Sequence, residues 1–207
     1  MKISKTKRRI LDVTLQLFNK RGLNKSSQHT IAEALDMSPG NLTYHYHKKE
    51  DLTNALFHEM IAELNQKFSD FESGKDHLGN LVEFLDDILT SFRKYRFVYI
   101  DLFYIMNRYP ELAKIYKELL TGRKAEYKKL MKKLIKEGYV TKEDFPGQHE
   151  LVYENMTLAL TQFFSTYSRM KGKEKDKINF HKRVILNAAY PALTAKGRKK
   201  IMPHLKK

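Results

Sequence analysis

The sequence predicts an all-helical protein, a small three-helix head followed by a larger helical bundle. Three observations predict it. Apolar residues recur three and four positions apart along most of the chain. No stretch shows the period-two alternation of a half-buried strand. Start and stop signals such as Gly22, Ser38-Pro39 and Pro110 fall at the ends of the periodic segments.

Taken in order, Met1 to Arg9 form a basic tail leading into a first helix, where Ile10, Val13, Thr14, Leu17 and Phe18 share one face and Gly22 supplies the stop. Ser27 caps a second helix that buries Ile31, Ala32 and Leu35, and Asp36 occupies the turn after it. Ser38 caps a third helix with Pro39 at its first position, where a missing N–H costs nothing. Lys49 to Phe71 read as a long fourth helix, striped by Leu52, Leu56, Met60, Leu64, Phe68 and Phe71. A polar break at Ser73 to Asp76 precedes another amphipathic segment, Leu78 to Phe92, and an unusually aromatic one from Phe92 to Tyr109. Pro110 opens a helix running towards Gly138. After the break at Phe145-Pro146-Gly147, helices are expected at about 149–170 and 177–193, trailed by a basic tail. The expected domains are 1–50 and 51–207.

Composition narrows the function. With 42% hydrophobic residues, twelve Tyr and twelve Phe, the chain can bury a proper core. The absence of Cys excludes a disulfide framework, a Cys zinc site and a thiol nucleophile. No run of about 18 apolar residues offers a membrane span, and the first nine residues are too polar for a secretion signal, so a cytoplasmic protein is expected. The net charge of +15 points to an anionic partner. It is concentrated in the head, where residues 1–50 hold ten Lys or Arg against four acids.

The helix pair from Ser27 to Leu52 has the make-up of a helix-turn-helix. Its second helix opens with small polar residues followed by aromatic and cationic ones, the types a helix needs in a DNA groove. From Arg9 to Leu52 the chain resembles the DNA-binding head of the TetR (tetracycline-repressor) family. The residues that carry the resemblance are Ile10-Leu11, Leu17-Phe18, Gly22, Ile31-Ala32, the run Ser38 to Tyr46, and Lys49-Glu50-Asp51-Leu52. That resemblance implies a sequence-specific transcriptional regulator, a ligand-responsive repressor acting as a homodimer on double-stranded operator DNA. It implies that Ser38, Pro39, Gly40 and Thr43 approach base edges, and that Asn41, Tyr44, His45 and Lys49 meet phosphates, with Lys49 at a helix N-terminus that also favours an anion. Ser27, Gln28 and His29 would approach the backbone or a base. Tyr46 is expected in the core. Two positions depart from the family pattern: Thr43 stands where a Tyr is usual, implying an altered base preference, and Asp36 replaces the common turn Gly.

No catalytic set is present, since the chain has no phosphate loop and no nucleophile beside a base, and its adjacent acids Asp86-Asp87 and Glu143-Asp144 face apart on a helix. Neither a cofactor nor a metal site is expected. A dimer interface is expected from the last long helices, at Leu151, Met156, Leu160, Phe163, Phe164 and Tyr167 and at Phe180, Val184, Ile185, Ala188 and Ala189. An effector pocket is expected among Phe92, Tyr95, Tyr99, Phe103, Tyr104, Met106, Asn107, Tyr116, Tyr127 and Met131. The Lys-rich stretch Arg123 to Lys136 reads as a solvated face. The alternative reading is a non-catalytic basic helical interaction or architectural protein that binds nucleic acid or acidic lipid without sequence choice.

Overall fold

A computed structural model describes residues 3–167 and 170–206, excluding the side chains of residues 164–167. Among the described residues the chain forms eleven α-helices and one 3-10 turn, and the backbone divides into two compact units. The first unit takes residues 1–65 and 91–115, the second residues 66–90 and 116–207.

The first unit opens with α1 (Lys5–Arg21), capped by the Ser4 hydroxyl at one end and by Gly22 with φ 81° at the other. Ile10, Leu11, Leu15 and Phe18 form its buried face. Burying a Leu or Phe of this kind contributes about 1.5–3 kcal/mol, so the stripe is enough to hold two short helices against it. Those are α2 (Gln28–Ala34) and α3 (Pro39–His45), capped by the Ser27 and Ser38 hydroxyls as their sequence predicts. Each is too short to persist alone. They are fixed instead by Ile31, Ala32, Leu35 and Leu42, all essentially inaccessible. Asp36 makes the turn between them at φ 50°, and among the described residues it is the one non-glycine with positive φ.

The rest of the unit comes from the first part of α4 (Lys49–Ser73), the end of α5 (His77–Lys94), α6 (Arg96–Ile100), α7 (Leu102–Arg108) and the start of α8 (Pro110–Lys136). Phe18 meets Phe97 at 5.2 Å between ring centroids. Arg8 pairs with Glu59 at 2.7 Å and with Asp12 at 2.8 Å. Tyr95 is fully buried, and its hydroxyl donates to Glu59 Oε1 at 3.1 Å. Burial, with only partial opposition from Lys94, pushes that hydroxyl up to about 12, so it remains a neutral donor.

The second unit is built on α8, α9 (Gln148–Tyr167), α10 (Glu174–Ala189) and α11 (Ala195–Leu205). Its core gathers Leu78, Leu134, Val140, Val152, Ala192, Leu193 and Ile201. An isolated antiparallel bridge between Val140 and Leu193 ties the loop after α8 to the segment before α11. Gly197 lies so close to the Tyr139 carbonyl that a Cβ there would sit 2.2 Å from the oxygen, so only glycine fits. The expected basic C-terminal tail is instead α11, because Thr194 caps it and Ile201 anchors it in the core. The helix expected from about residue 177 begins earlier, since α10 starts at Glu174 with Glu174 and Asp176 in its first turn, where the helix dipole favours acids. Arg123 is not part of a solvated face. Its side chain is 12% exposed and stacks over the Phe68 ring at 3.7 Å.

Candidate nucleic-acid interface

The helix-turn-helix is held from behind. Arg9 Nη2 donates to the Leu35 carbonyl at 3.0 Å, pinning the end of α2 at the turn, and Gln28 Nε2 donates to the Tyr46 carbonyl at 3.0 Å, tying the start of α2 to the end of α3. Tyr46 is 9% exposed and belongs to the core, with Lys7 Nζ 5.6 Å from its ring centre.

What faces outward is a row of residues that this core does not use. Ser38, Pro39, Gly40, Asn41, Thr43 and Tyr44 are all exposed, Tyr44 at 80%. Nothing lies within 4 Å of where a Gly40 Cβ would stand, so the fold itself does not require a glycine there. A close approach from outside is a reason for one. The Thr43 hydroxyl donates to the Pro39 carbonyl at 2.9 Å and is thereby occupied within the helix. Tyr44 rests edge-on against the half-buried His45 ring, with centroids 5.2 Å apart.

At the start of α2, Ser27 and His29 are exposed, and Ser27 Oγ accepts from the Thr30 N–H at 3.2 Å. Gln28 is half-buried by its bond to Tyr46. Lys49 differs from its expected setting. Its Nζ donates to the Leu23 carbonyl at 3.2 Å, and the opening of α4 is served by its own acids, with Asp51 Oδ2 accepting from the Lys48 N–H at 3.1 Å. The helix end is therefore already supplied with negative charge, and any pull on a phosphate at this point comes from the lysine side chain. Lys25 and Lys48, not singled out by the sequence reading, are exposed at the two ends of the motif. Positive charge just before Ser27 and just after Tyr46 was the signal available for them.

The expected effector-pocket residues fall into two groups. Phe92, Tyr95, Tyr99, Phe103, Tyr104, Met106 and Asn107 belong to the first unit, and Tyr116, Tyr127 and Met131 to the second. Phe92 and Tyr99 stack at 4.1 Å. Tyr95 is spent on core packing and its bond to Glu59, whereas Phe103 is 85% exposed and Asn107 donates its amide to the Phe103 carbonyl at 2.7 Å. Tyr127 and Met131 line a cavity of about 520 Å³ in the second unit.

The expected interface residues also divide. Phe163 and Ile185 are both fully buried, closed into the chain's own core and withdrawn from any partner surface. Met156 packs beside the core of the second unit, and Leu160, Ala188 and Ala189 are half-buried. Leu151, Phe180 and Val184 are exposed at 56%, 50% and 40%, and they are joined by Leu158 at 59%, which the sequence reading missed. The side chains of Phe164 and Tyr167 lie outside those described.

Among the described residues no group of three His, Asp or Glu is placed to hold a metal ion, and no helix is long and apolar enough to cross a membrane.

Two family models account for nearly the whole chain. Residues 10–56 match the bacterial regulatory proteins of the tetR family, and residues 56–201 match TetR, described as a bacterial transcriptional repressor. Solved structures share the fold. A TetR-family transcriptional regulator from Marinobacter aquaeolei VT8 is 24% identical, with 98% of each chain covered and a TM-score of 0.86. The ketosteroid transcriptional regulator KstR2 of Mycobacterium tuberculosis is 16% identical, with 93% of this chain and 97% of that one covered and a TM-score of 0.73. A putative transcriptional regulator from Saccharomonospora viridis in complex with choline is 16% identical over 92% of this chain and 98% of its own, also at 0.73. With a tetR-family helix-turn-helix at its N-terminus and the family's regulatory domain over most of the remainder, the chain belongs to the TetR family of DNA-binding transcriptional regulators.

Proposed function

We propose that the chain represses transcription as a homodimer, each head (residues 1–50) reading one half-site of an operator while residues 51–207 carry the dimer contacts and the response to a small-molecule effector. The observation that carries the reading is the outward row on α3, exposed side chains over a core that needs none of them. A helix with small residues at its leading end lets backbone and base edges come close, so Ser38, Pro39, Gly40 and Thr43 are the base-facing set. Thr43, its hydroxyl engaged, has a methyl to offer a thymine methyl group. Asn41, Tyr44, His45, Lys49 and, on α2, Ser27, Gln28 and His29 fix the register on phosphates, with Lys25 and Lys48 adding charge. One head makes few contacts, which is the reason for two copies on half-sites about 34 Å apart. The protein acts in the cytoplasm and is not an enzyme.

Titration of the full chain against its own promoter fragment and against random duplex, each at low and at physiological salt, tests this. Specific binding should survive the higher salt while random binding falls away. Equal affinity for both duplexes at both salts would favour the architectural reading and sink this one. Tyr44→Ala should weaken binding to all sequences, whereas Thr43→Tyr should change the preference at one base pair.

A further inference from the structure

The cavity in the second unit is built more like a binding site than a packing defect. One wall is a single face of α8, carrying Tyr127, Lys128, Met131, Lys132 and Ile135. The other is the loop after it with the start of α9, carrying Lys142, Glu143, Gly147, His149 and Glu150. Its volume of about 520 Å³ lies inside the range of small-molecule sites, about 300–1,000 Å³. The loop wall is held in shape without any ligand. Glu143 accepts from the backbone N–H groups of His149 at 2.9 Å and Gly147 at 3.4 Å, and Gln148 exchanges hydrogen bonds with Asp144.

Two buried polar atoms on these walls have no partner, Tyr127 Oη and His149 Nε2. His149 is only 8% exposed, and its other ring nitrogen faces Glu143 at 3.7 Å. An unmet buried polar atom costs about 1–3 kcal/mol. Both atoms belong to side chains that line the cavity. Burial, with some help from Glu143, holds the Tyr127 hydroxyl above the usual tyrosine range, so it stays a neutral donor.

The charge around the cavity is equally uneven. Glu150 is taken by Lys124 at 2.7 Å and Lys128 at 3.1 Å, and Glu143 is occupied by the backbone amides. That leaves Lys132 and Lys142, both exposed and, among the described residues, paired with no carboxylate. Met131, Ile135 and the Tyr127 ring add apolar surface to the same lining.

We infer that this cavity binds a small amphipathic monocarboxylate. The carboxylate sits at Lys132 and Lys142, and the apolar body lies against Met131, Ile135 and the Tyr127 ring. As the seat of an effector the site rests on the regulatory reading proposed above; as a binding site it stands on the cavity alone.

Calorimetry on the full chain without DNA tests the site, using octanoate, 3-phenylpropanoate and 3-(4-hydroxyphenyl)propanoate beside their primary amides. At least one acid should bind, its amide about tenfold more weakly, because a charge-assisted contact to one lysine is worth about that factor. The Lys132→Gln/Lys142→Gln double variant should erase the difference. Both lysines are exposed and unpaired, so the variant keeps its fold, which a thermal melt verifies. Binding of no acid in the panel overturns the site, as does equal binding of acid and amide or binding unchanged by the double variant. Binding that leaves operator affinity unaltered supports the site and overturns its role as the effector seat, since coupling must act in both directions.

Discussion

Asp101 reaches back across 78 residues to Leu23, its Oδ2 accepting the Leu23 backbone N–H at 2.9 Å. The contact fixes the residue that follows the Gly22 stop of α1. A few residues earlier Asn19 is engaged in the same way, its Oδ1 accepting from the Phe97 N–H at 3.0 Å and its amide donating to the Lys94 carbonyl at 2.8 Å. Arg96 Nε donates to the Asn19 carbonyl at 2.9 Å. The short helix α6 is thus bound at both ends to the C-terminus of α1, within one unit.

Asp101→Ala should leave a part-buried N–H without an acceptor and destabilise the protein by about 1–2 kcal/mol. Asn19→Ala removes a donor and an acceptor together and should cost more, about 2–3 kcal/mol. Urea unfolding of the two variants measures this, and hydrogen exchange should show the Leu23 amide opening faster in the first. A urea midpoint equal to that of the parent chain in both would mean that these contacts carry no net stability.

The turn at Asp36 gives a second prediction. At φ 50° an L-residue is strained by about 1–2 kcal/mol, less for Asp, whose short side chain is accommodated there better than most. Asp36→Gly should therefore be neutral or gain up to about 0.5 kcal/mol, because relief of strain is offset by the extra freedom glycine has when unfolded. Asp36→Val should lose about 1–2 kcal/mol and weaken DNA binding in parallel, since this turn sets α3 against α2. If the Val variant melts with the parent chain, the left-handed turn is not what holds the pair.

How far these features could be read in advance depended on the range of the interactions. The caps Ser27 and Ser38, the stop at Gly22 and the start at Pro110 are settled by neighbours within four residues, and they stand where the sequence puts them. Tyr46 was legible as core through the family resemblance, which implies a buried aromatic at that position, and it is buried while Tyr44 stands outside. The aromatic run from Phe92 to Tyr109 was not legible. Residue type gives a tendency to be buried but no direction, and here Tyr95 is fully enclosed while Phe103 is 85% exposed. The break between α6 (Arg96–Ile100) and α7 (Leu102–Arg108) depends on Asp101 meeting an amide far away in sequence, which no local pattern announces. Helix α11 was read as a tail because its Lys and Arg residues masked the anchor Ile201.

His181 sets a pH dependence. Its ring is buried against Phe163, with centroids 4.5 Å apart, and Nδ1 donates to the Lys177 carbonyl at 3.1 Å. Burial lowers its pKa below the usual histidine value, the backbone bond opposing this only in part. The folded protein then prefers the neutral ring, and as the pH falls the unfolded chain takes up the proton first. The resulting stability is complete above about pH 6.5 and is lost as the pH drops from there through the lower folded value. The melting temperature should accordingly fall between about pH 7.5 and pH 5.5, and His181→Gln should flatten that slope. An unchanged slope in the variant would assign the loss to other groups.

The exposed apolar residues of α9 and α10 yield the last prediction. Leu151 and Leu158 stand seven residues apart on α9, and Phe180 and Val184 four apart on α10, so each pair shares one helix face. The two helices pack on each other, with Phe163 and Ile185 fully buried. Large side chains this exposed favour a cover, and a second copy of the same surface supplies one. Leu158→Glu with Phe180→Glu should give a folded monomer in sedimentation velocity, because both positions lie outside the core and four like charges would meet across the two-fold axis. Operator affinity should drop about a hundredfold or more, since the second head is then no longer held near the first. A double variant that still sediments as a dimer would place the interface elsewhere, and one that is monomeric yet binds its operator undiminished would show that a single head suffices.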